Sequence, residues 1–472
     1  MDLAITGALV LPFTEDGPGV IEDATVAVDG NEIAFVGPDE AFDEEPAERI
    51  DGTGRIVLPG FVNAHTHTGL TLARGGAQDV PEIEWMNDAL APISRALTTE
   101  DRIVGSKLGV IEALRSGVTT FAEYDAHVGD LIEAVYEPIG ARVVGIETIN
   151  EVVERGESIG PRDLPTFDRE RGANALDRTE RLFDRYADHD RVDVAYGPQA
   201  IDMVSRETLE TVCQRSQEAD RDVHMHVAQG ERERLQVEER YGTSTVSVVE
   251  ELGLASDRLV AAHLHGATEP ERSRLAENGV RMVGCPGSIG GIDGVVPPVL
   301  EYLEHGGTVG IGTDQAPGNG RHDLLRELRT LALLTKCDRT DPRALPAWQS
   351  LRLGTIEGAA ALGLDTAIGT LETGKRADLV VVDATQESMI PSVADPLHTG
   401  IPNLVYSATR EAIETVIVDG EILVRDGVVT TIDAESVRRR AHSRATAAFE
   451  RAAEAWERAE SALVEDVTHG RL

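Results

Sequence analysis

Residues 58–365 alternate apolar, strand-like runs with amphipathic stretches, and this alternation restricts the possible folds more than any other feature. The intervening stretches, such as Thr99–Arg115, Arg206–Ala219 and Glu269–Asn278, have helical periodicity. Repeated strand–helix units build a parallel sheet, and eight of them close into a TIM (β/α)8 barrel. The eight predicted strands are Arg55–Asn63, Gly117–Glu123, Ala141–Glu147, Arg191–Gly197, Asp222–Val227, Leu259–Leu264, Val280–Gly284 and Thr308–Gly312.

Short alternating strands and turns occupy both ends of the chain, in residues 1–57 and 366–432. Because chain termini often lie close together, these two pieces predict one small β-sandwich domain. Residues 433–472 are rich in Ala, Glu and Arg and predict a charged C-terminal helix that frays near Thr468. Glycines and prolines in Arg155–Asp168 predict a loop insertion after the third barrel strand.

The net charge excludes two classes of partner. The chain carries 44 Lys plus Arg against 83 Asp plus Glu, a formal charge of −39. Nucleic acid and anionic membranes are negative too, so neither is expected as the main partner. Only three residues are lysines, and an acidic surface nearly free of lysine favours a cytosol with molar salt, where self-repulsion is screened.

The location of the protein is predicted to be cytoplasmic. No run of 18 apolar residues is present, and residues 1–5 lack the basic segment of a secretion signal. The three cysteines are far apart and form no CxxC pair, as expected of reduced thiols. A homo-oligomer is possible, and the sequence does not decide this.

Histidines and one aspartate fall at the predicted strand ends, where a TIM barrel carries its chemistry. His65 and His67 are two residues apart, so both point the same way from one strand. With His226 and Asp314 they offer three nitrogens and one oxygen to a divalent metal, a set that suits Zn²⁺ or Fe²⁺ and leaves room for water. Each histidine taken alone could equally be a satisfied polar core residue.

One metal ion is predicted rather than two. Some barrel hydrolases bridge two metals with a carboxylated lysine at a strand end. Here Lys107 and Lys336 lie in helical stretches, and Lys375 lies in a turn of the β domain. No lysine therefore stands at a predicted strand end.

The ordered motifs resemble those of the amidohydrolase superfamily, over nearly the whole chain. They are closest to the branch that contains methylthioadenosine/S-adenosylhomocysteine deaminases and s-triazine chlorohydrolases. The matching segments are Pro59-Gly60-Phe61-Val62-Asn63-Ala64-His65-Thr66-His67, Arg74-Gly75 with Trp85, Ala262-His263, Gly312-Thr313-Asp314, Gly369–Leu379 and Asn403–Ala408.

This resemblance implies a metal-dependent hydrolase acting on a small heterocyclic substrate, with zinc favoured over iron. Metal-bound hydroxide would attack a ring carbon that carries an amino or halide group. Asp314 would be both a metal ligand and the acceptor of the water proton, and His263 would orient the hydroxide. The predicted reaction is deamination of an amino-substituted N-heterocycle or nucleoside-like compound.

The chain departs from the family pattern at three positions. Family deaminases carry a Glu three residues after the metal histidine of the fifth strand, where this chain has Gln229. An amide donates a hydrogen bond but cannot run an acid–base cycle. Gln199 replaces a substrate-binding His, and Ser94 replaces a Glu that binds ribose hydroxyls in nucleoside deaminases. The acids that could substitute at position 229 are Glu123, Glu147 and Glu231.

Gln199, Asn319 and Trp85 are predicted substrate contacts, because they follow strands at the mouth of the barrel. Trp85 could stack on a heterocycle. The alternative for Gln199 and Asn319 is that they are solvated loop amides, and the alternative for Trp85 is that it packs within its loop.

Two other functions stay open. A chloride leaving group needs no proton, so Gln229 is compatible with a triazine-type chlorohydrolase. A catalytically inactive metal-binding homologue is the third possibility.

Overall fold

The computed structural model describes residues 1–14, 17–153 and 160–471. The strands in these residues are β1 (Leu3–Val10), β2 (Ile21–Asp29), β3 (Glu32–Pro38), β4 (Glu48–Asp51), β5 (Arg55–Pro59), β6 (Phe61–Thr66), β7 (Val118–Asp125), β8 (Arg142–Ile149), β9 (Val192–Pro198), β10 (Val223–Val227), β11 (Leu259–His263), β12 (Arg281–Gly284), β13 (Val309–Ile311), β14 (Leu379–Asp383), β15 (Ile413–Val418), β16 (Glu421–Arg425) and β17 (Val428–Val429).

Helices cover much of the chain between these strands. The α-helices are α1 (Glu82–Glu84), α2 (Ala91–Ala96), α3 (Thr99–Leu114), α4 (Val128–Leu131), α5 (Glu137–Ile139), α6 (Arg169–Arg185), α7 (Arg206–Ala219), α8 (Glu231–Tyr241), α9 (Thr245–Glu251), α10 (Glu269–Glu277), α11 (Pro286–Ile292), α12 (Val299–Glu304), α13 (Ala316–Asn319), α14 (Leu324–Arg339), α15 (Ala347–Leu353), α16 (Ile356–Ala361), α17 (Gly400–Tyr406), α18 (Ala434–Arg458) and α19 (Ala462–Thr468). Short 3₁₀ segments are Asp39–Ala41, Thr68–Ala73, Glu387–Met389 and Arg410–Ala412, and π-helical turns are Trp85–Leu90 and Ile132–Tyr136.

Strands β6 to β13 form an eight-stranded parallel sheet in chain order, as the alternating pattern predicts. A parallel bridge between Thr66 and Asp314 brings the first and last strands together. The Asp314 amide donates to the His65 carbonyl oxygen at 3.0 Å, so this closure lies at the carboxyl ends of the strands. The barrel interior is packed with buried aliphatic side chains, and the polar residues lie at that end.

The first predicted barrel strand is wrong in its extent, because Arg55–Asn63 is divided between two sheets. β5 pairs with β1 and β14 outside the barrel, and only β6 belongs to the barrel. Gly60 separates them, and a Cβ there would stand 2.2 Å from the Thr119 hydroxyl oxygen. The break therefore depends on a residue without a side chain, and the strand crosses the predicted boundary between residues 57 and 58.

The two chain ends combine in one second domain, as predicted. Its hydrogen bonding is that of a single mixed sheet of nine described strands, in the order β17-β16-β15-β14-β5-β1-β2-β3 with β4 beside β1. The antiparallel pair β5–β14 joins the two ends of the chain. A buried ion pair fixes this sheet to the barrel, because Arg142 on β8 bonds Asp378 at 2.8 Å and Asp419 at 3.3 Å.

The predicted C-terminal helix is present as two helices. α18 ends at Arg458 and α19 begins at Ala462, with Glu460 in the left-handed backbone region between them. α18 packs against α2 and α3. Residues of α2 and α18 form part of the cavity wall at the carboxyl end of the barrel. Within the described residues, no helix has the length and apolar character needed to cross a membrane.

The predicted loop insertion lies partly outside the described residues, which omit 154–159. In its described part, Phe167 forms a bridge with Val152. The Asp168 side chain then accepts the amides of Glu170 and Arg171 and begins α6.

Candidate active site

Three histidines from two barrel strands converge at the carboxyl end of the barrel. His65 lies on β6, His67 directly follows the last residue of β6, His226 lies on β10, and their ligand nitrogens are within 4.8 Å of one another. The Nε2 atoms of His65 and His67 are 3.2 Å apart. The two-residue spacing at the end of β6 thus brings both rings to one place, as the sequence predicts.

Backbone carbonyls fix the orientation of two of these rings. Tyr124 O lies 2.6 Å from His67 Nδ1, and Gln199 O lies 2.9 Å from His226 Nδ1. A carbonyl oxygen can only accept, so both Nδ1 atoms carry the proton. Both Nε2 atoms of the neutral rings are then lone-pair donors, which is the tautomer that a metal requires.

Burial keeps these imidazoles neutral. Desolvation lowers the pKa of His67 and of His226 to about 4. The pKa of His65 is also well below its ordinary value, because of burial and of the neighbouring histidines. His65 Nδ1 lies 3.0 Å from His224 Nε2, so a hydrogen bond with a fourth buried imidazole fixes the orientation of the His65 ring.

Asp314 completes the cluster from the last strand. Its Oδ1 lies 3.4 Å from His67 Nε2 and 3.9 Å from His65 Nε2. Its Oδ2 accepts from Ser288 Oγ at 2.5 Å and from Gln315 Nε2 at 3.4 Å. Asp314 has a φ of 54°, a strained conformation that positions one carboxylate oxygen toward the histidines.

The donor set fits a divalent cation. The unprotonated Nε2 of His67 lies 3.4 Å from Asp314 Oδ1 and 3.2 Å from His65 Nε2, and a ligand nitrogen of His226 is within 4.8 Å of theirs. Lone pairs crowded in a buried site repel one another unless a cation lies among them. Three imidazoles and one carboxylate match the ligands of zinc or iron(II) sites.

His263 lies beside this cluster, at the end of β11. Its ring stacks on His226 at 5.4 Å between centroids, and its backbone φ is 82°. Both ring nitrogens are buried, and neither has a hydrogen-bond partner among the described residues. Two free polar atoms in a buried ring are costly, so His263 is positioned for a partner that the protein does not supply.

A cavity of about 970 Å³ opens above the cluster, and His67, His226 and Asp314 form part of its wall. Three of the other predicted site residues also line it, namely Gln199, Gln229 and Trp85. Gln199 Oε1 accepts from the Asn150 side chain, and the backbone N–H of Gln229 donates to the Glu233 carboxylate.

Asn319, a predicted substrate contact, lies apart from Gln199 and Trp85 in the structure. It is buried and does not belong to the cavity wall. Its side-chain nitrogen donates to the carbonyl oxygens of Thr313 and Arg321, at 2.8 and 2.9 Å. Asn319 therefore holds the loop that follows Asp314, which is a positioning role.

The three glutamates considered as replacement acids do not line the cavity either. Glu123 accepts from Thr68 and Tyr136, and burial raises its pKa to about 8. Glu147 accepts two backbone amides and pairs with Arg178 at 2.7 Å, and Glu231 is exposed at the start of α8. None of them is placed to replace an acid at position 229.

Sequence reasoning missed Ser288, Gln315 and Asp125. Ser288 lies in α11 rather than at a strand end, and only the folded chain brings it to Asp314. Gln315 directly follows Asp314, and that adjacency was the available signal. Asp125, the last residue of β7, is buried and lines the cavity beside Arg102.

Comparison with known proteins decides the family. A model described as the amidohydrolase family matches residues 56–423. The chain belongs to this family. The match covers the barrel and part of the second sheet, so the family and hydrolytic activity predicted from the motifs are confirmed.

Individual amidohydrolases are similar to the chain over nearly its full length. A 5-methylthioadenosine/S-adenosylhomocysteine deaminase from Desulforudis audaxviator is 36% identical over 94% of this chain and 98% of the relative. A zinc-bound adenosine deaminase from Xanthomonas campestris has a TM-score of 0.86 and 29% identity, covering 96% of this chain and 99% of its own. The zinc complex of an atrazine chlorohydrolase from Arthrobacter aurescens has a TM-score of 0.83 and 25% identity, covering 94% and 100%.

Proposed function

We propose that this amidohydrolase is a metal-dependent deaminase that removes the amino group from the adenine ring of a nucleoside-like compound. The observation that carries the proposal is the convergence of His65, His67 and His226, of which His67 and His226 form part of the wall of an open cavity. Similarity to deaminases of adenine compounds over nearly the whole chain supports the choice of ring.

The proposed ligands of one divalent ion are His65, His67, His226 and Asp314. We favour zinc, since the similar adenosine deaminase and atrazine chlorohydrolase structures contain it and the donor set suits it. An ion held here would supply a water of lowered pKa for attack on the ring carbon.

The proton steps are assigned to side chains of this chain. Asp314 Oδ1 faces the cluster while Oδ2 is held by Ser288, so Oδ1 is free to accept the proton of the attacking water. His263 has two ring nitrogens with no partner in the described part of the chain, and it orients that water or the departing amino group. Gln229 lines the cavity and donates a hydrogen bond to a ring nitrogen without transferring a proton.

Substrate contacts are proposed for Gln199 and Trp85. Both line the cavity, and Trp85 is a buried aromatic residue within the π-helical turn Trp85–Leu90. An aromatic wall suits a planar purine. Asn319 is not proposed as a contact.

A chlorohydrolase is the second candidate, and Gln229 is the observation that favours it. Loss of chloride needs no general acid, whereas loss of ammonia does. The decisive experiment compares adenosine with 6-chloropurine riboside, which differ only in the leaving group, using zinc-loaded protein in molar salt. Ammonia release with the higher kcat/KM supports the deaminase, and faster chloride release supports the chlorohydrolase.

His226→Ala tests the proposed metal site. This variant loses one proposed ligand, so metal content and turnover should disappear together. The matched control is His442→Ala, at an exposed position of α18, which should change neither. If wild-type protein binds metal and turns over neither riboside, the inactive homologue is the better description. A cytoplasmic location at high salt belongs to the same proposal, because the charge of −39 requires screening.

A further inference from the structure

We propose that His322 is a positioning residue of the metal site, because its imidazole bonds the threonines beside the ligands of the first and last barrel strands and so fixes the spacing of those ligands. This inference rests on the proposed function, since it concerns the ion that the proposed reaction needs. His322 lies just before α14, is fully buried and does not belong to the cavity wall. Its effect on the reaction is therefore indirect.

One nitrogen of the His322 ring contacts both ends of the barrel closure. Nδ1 lies 3.2 Å from the Thr66 hydroxyl oxygen and 3.2 Å from the Thr313 hydroxyl oxygen. Thr66 stands between the two histidines at the end of β6, and Thr313 directly precedes Asp314. Successive residues of a strand point to opposite faces, so Thr66 meets the ring on the side away from the histidine before it.

The other nitrogen fixes the tautomer of the ring. Thr71 Oγ1 donates to the Thr68 carbonyl oxygen at 2.6 Å, and a hydroxyl has only one proton to give. Thr71 Oγ1 must therefore accept from His322 Nε2, which is 3.0 Å away. Burial lowers the pKa of His322 to about 3, so the ring is neutral and its one proton is on Nε2. Nδ1 is then an acceptor for the two threonine hydroxyls.

These hydroxyls belong to a closed network at the junction of the first and last strands. Thr66 Oγ1 lies 3.3 Å from the Asp314 carbonyl oxygen and 3.3 Å from Thr313 Oγ1. Asn63 on β6 accepts the Thr313 backbone N–H at 2.9 Å and donates to its hydroxyl at 2.8 Å. A rigid ring bonded at both nitrogens joins this junction to Thr71, so it holds three segments beside the ligands in one arrangement.

Helix α3 holds the ring from the opposite side. A Cβ at Gly109 would stand 3.0 Å from His322 Cδ2 and 2.7 Å from Thr71 Oγ1, so the helix approaches here with bare backbone. The backbone N–H of His322 donates to Glu112 of the same helix at 3.3 Å. The ring therefore has little room to turn, and the spacing of the ligands is set before an ion binds.

The two ring nitrogens allow a matched pair of variants. The side-chain oxygen of asparagine is bonded to Cγ, as Nδ1 is in histidine, so His322→Asn keeps an acceptor for the two threonine hydroxyls and loses the contact with Thr71. The amide of glutamine lies one bond farther out, as Nε2 does, so His322→Gln keeps that contact and loses the acceptor. Tyr302→Phe is the control, since it removes another buried hydrogen bond, to the Val280 carbonyl oxygen before β12.

The affinity of each metal-free protein for zinc is measured in molar salt by competition with a chelator, and melting temperatures are measured without metal. His322→Gln should weaken zinc binding by about 10- to 100-fold. It should also change the visible spectrum of the Co²⁺-loaded protein, which reports ligand geometry. His322→Asn should keep most of the affinity, and Tyr302→Phe should lower only the melting temperature.

The proposal is overturned if His322→Gln binds zinc as wild type does, if the two amide variants lose affinity equally, or if affinity follows the melting temperature in all three variants. Should neither amide variant fold, Thr66→Val removes one of the hydroxyls and keeps the branched shape of the side chain. Unchanged zinc affinity in Thr66→Val would then overturn the proposal.

These measurements need no turnover, so they separate the role of His322 from the proposed reaction. If wild type binds zinc and releases no ammonia, while His322→Gln alone weakens zinc binding, the positioning role stands and the deaminase does not. If wild type binds no zinc, both are wrong.

Discussion

Ser288 Oγ donates to Asp314 Oδ2 at 2.5 Å and leaves Oδ1 facing the His67 ring at 3.4 Å. The two residues lie after different barrel strands, so the bond depends on correct closure of the barrel. Burial raises the pKa of Asp314, and the hydrogen bond from Ser288 opposes that rise. One hydroxyl therefore determines which carboxylate oxygen is available for metal and proton.

Ser288→Ala should lower either metal affinity or kcat by about 10- to 100-fold, as is typical when a group that orients a metal ligand is removed. The measurement is zinc affinity by competition with a chelator, together with kcat on adenosine. Ser407→Ala removes an exposed serine and should be neutral. Unchanged affinity and kcat in Ser288→Ala would show that Asp314 needs no such support.

Gln229→Glu should not increase deamination, because the role proposed for Gln229 is to donate a hydrogen bond, which an ionised carboxylate cannot do. A general acid typically contributes about 10²- to 10⁴-fold, so a real need for one would give a large gain. The readout is kcat/KM for adenosine and 6-chloropurine riboside with its pH profile, and Gln214→Glu on exposed α7 controls for charge. A gain above 10-fold restricted to adenosine would mean that the missing acid limits this enzyme.

The melting temperature should rise by several degrees between about 0.1 M and 1 M salt, where the Debye length falls from about 10 Å to about 3 Å. The reason is repulsion among the carboxylates that give the charge of −39. Exposed ion pairs weaken in the same range, but each contributes little. A melting temperature independent of salt would contradict the prediction of a salt-adapted protein.

Asp101→Asn should destabilise the protein by about 1–3 kcal/mol, less than for a fully buried ion pair because the arginines are partly exposed. Asp101 is buried, caps α3 with Thr98, and bonds Arg444 and Arg451 of α18 at 2.6 Å each. Denaturant unfolding in molar salt measures the loss. Glu100→Gln removes an exposed partner of Arg444 and should cost much less.

The same carboxylate gives a pH dependence with a definite sign. Burial raises the pKa of Asp101, but hydrogen bonds from Thr98 and Arg444 outweigh burial and hold it below the ordinary value. Its contribution to the free energy of unfolding is therefore present above about pH 4 and is lost as the pH falls through the lowered pKa. An acid-unfolding midpoint that is the same in wild type and Asp101→Asn would contradict this.

Much of the fold was predictable because local signals agree with tertiary structure. Helix α7 has the predicted ends, since Ser205 caps it and its apolar spacing is regular. The division of Arg55–Asn63 has a local signal in Pro59-Gly60, but the change of sheet appears only in the contact of Gly60 with Thr119. The break between α18 and α19 has no Pro or Gly to mark it.

Some residues of the candidate site were predictable from the sequence, and others became evident only in the folded chain. The histidines were predictable because the ends of barrel strands carry the chemistry and a two-residue spacing fixes a common direction. Ser288 and the Arg102–Asp125 pair were not, since their roles come from contacts between segments distant in sequence. Asn319 shows that position after a strand does not determine whether a side chain faces the cavity, since it is buried and lies outside the cavity wall.

Titration of metal-free protein with zinc tests the central claim most directly. Ammonia release from adenosine is followed in molar salt as zinc is added. Activity should be absent without metal, rise linearly and reach its plateau at one equivalent per chain, because His65, His67, His226 and Asp314 offer one set of ligands. No ammonia at any zinc content, or a plateau at two equivalents, would contradict a single-metal deaminase.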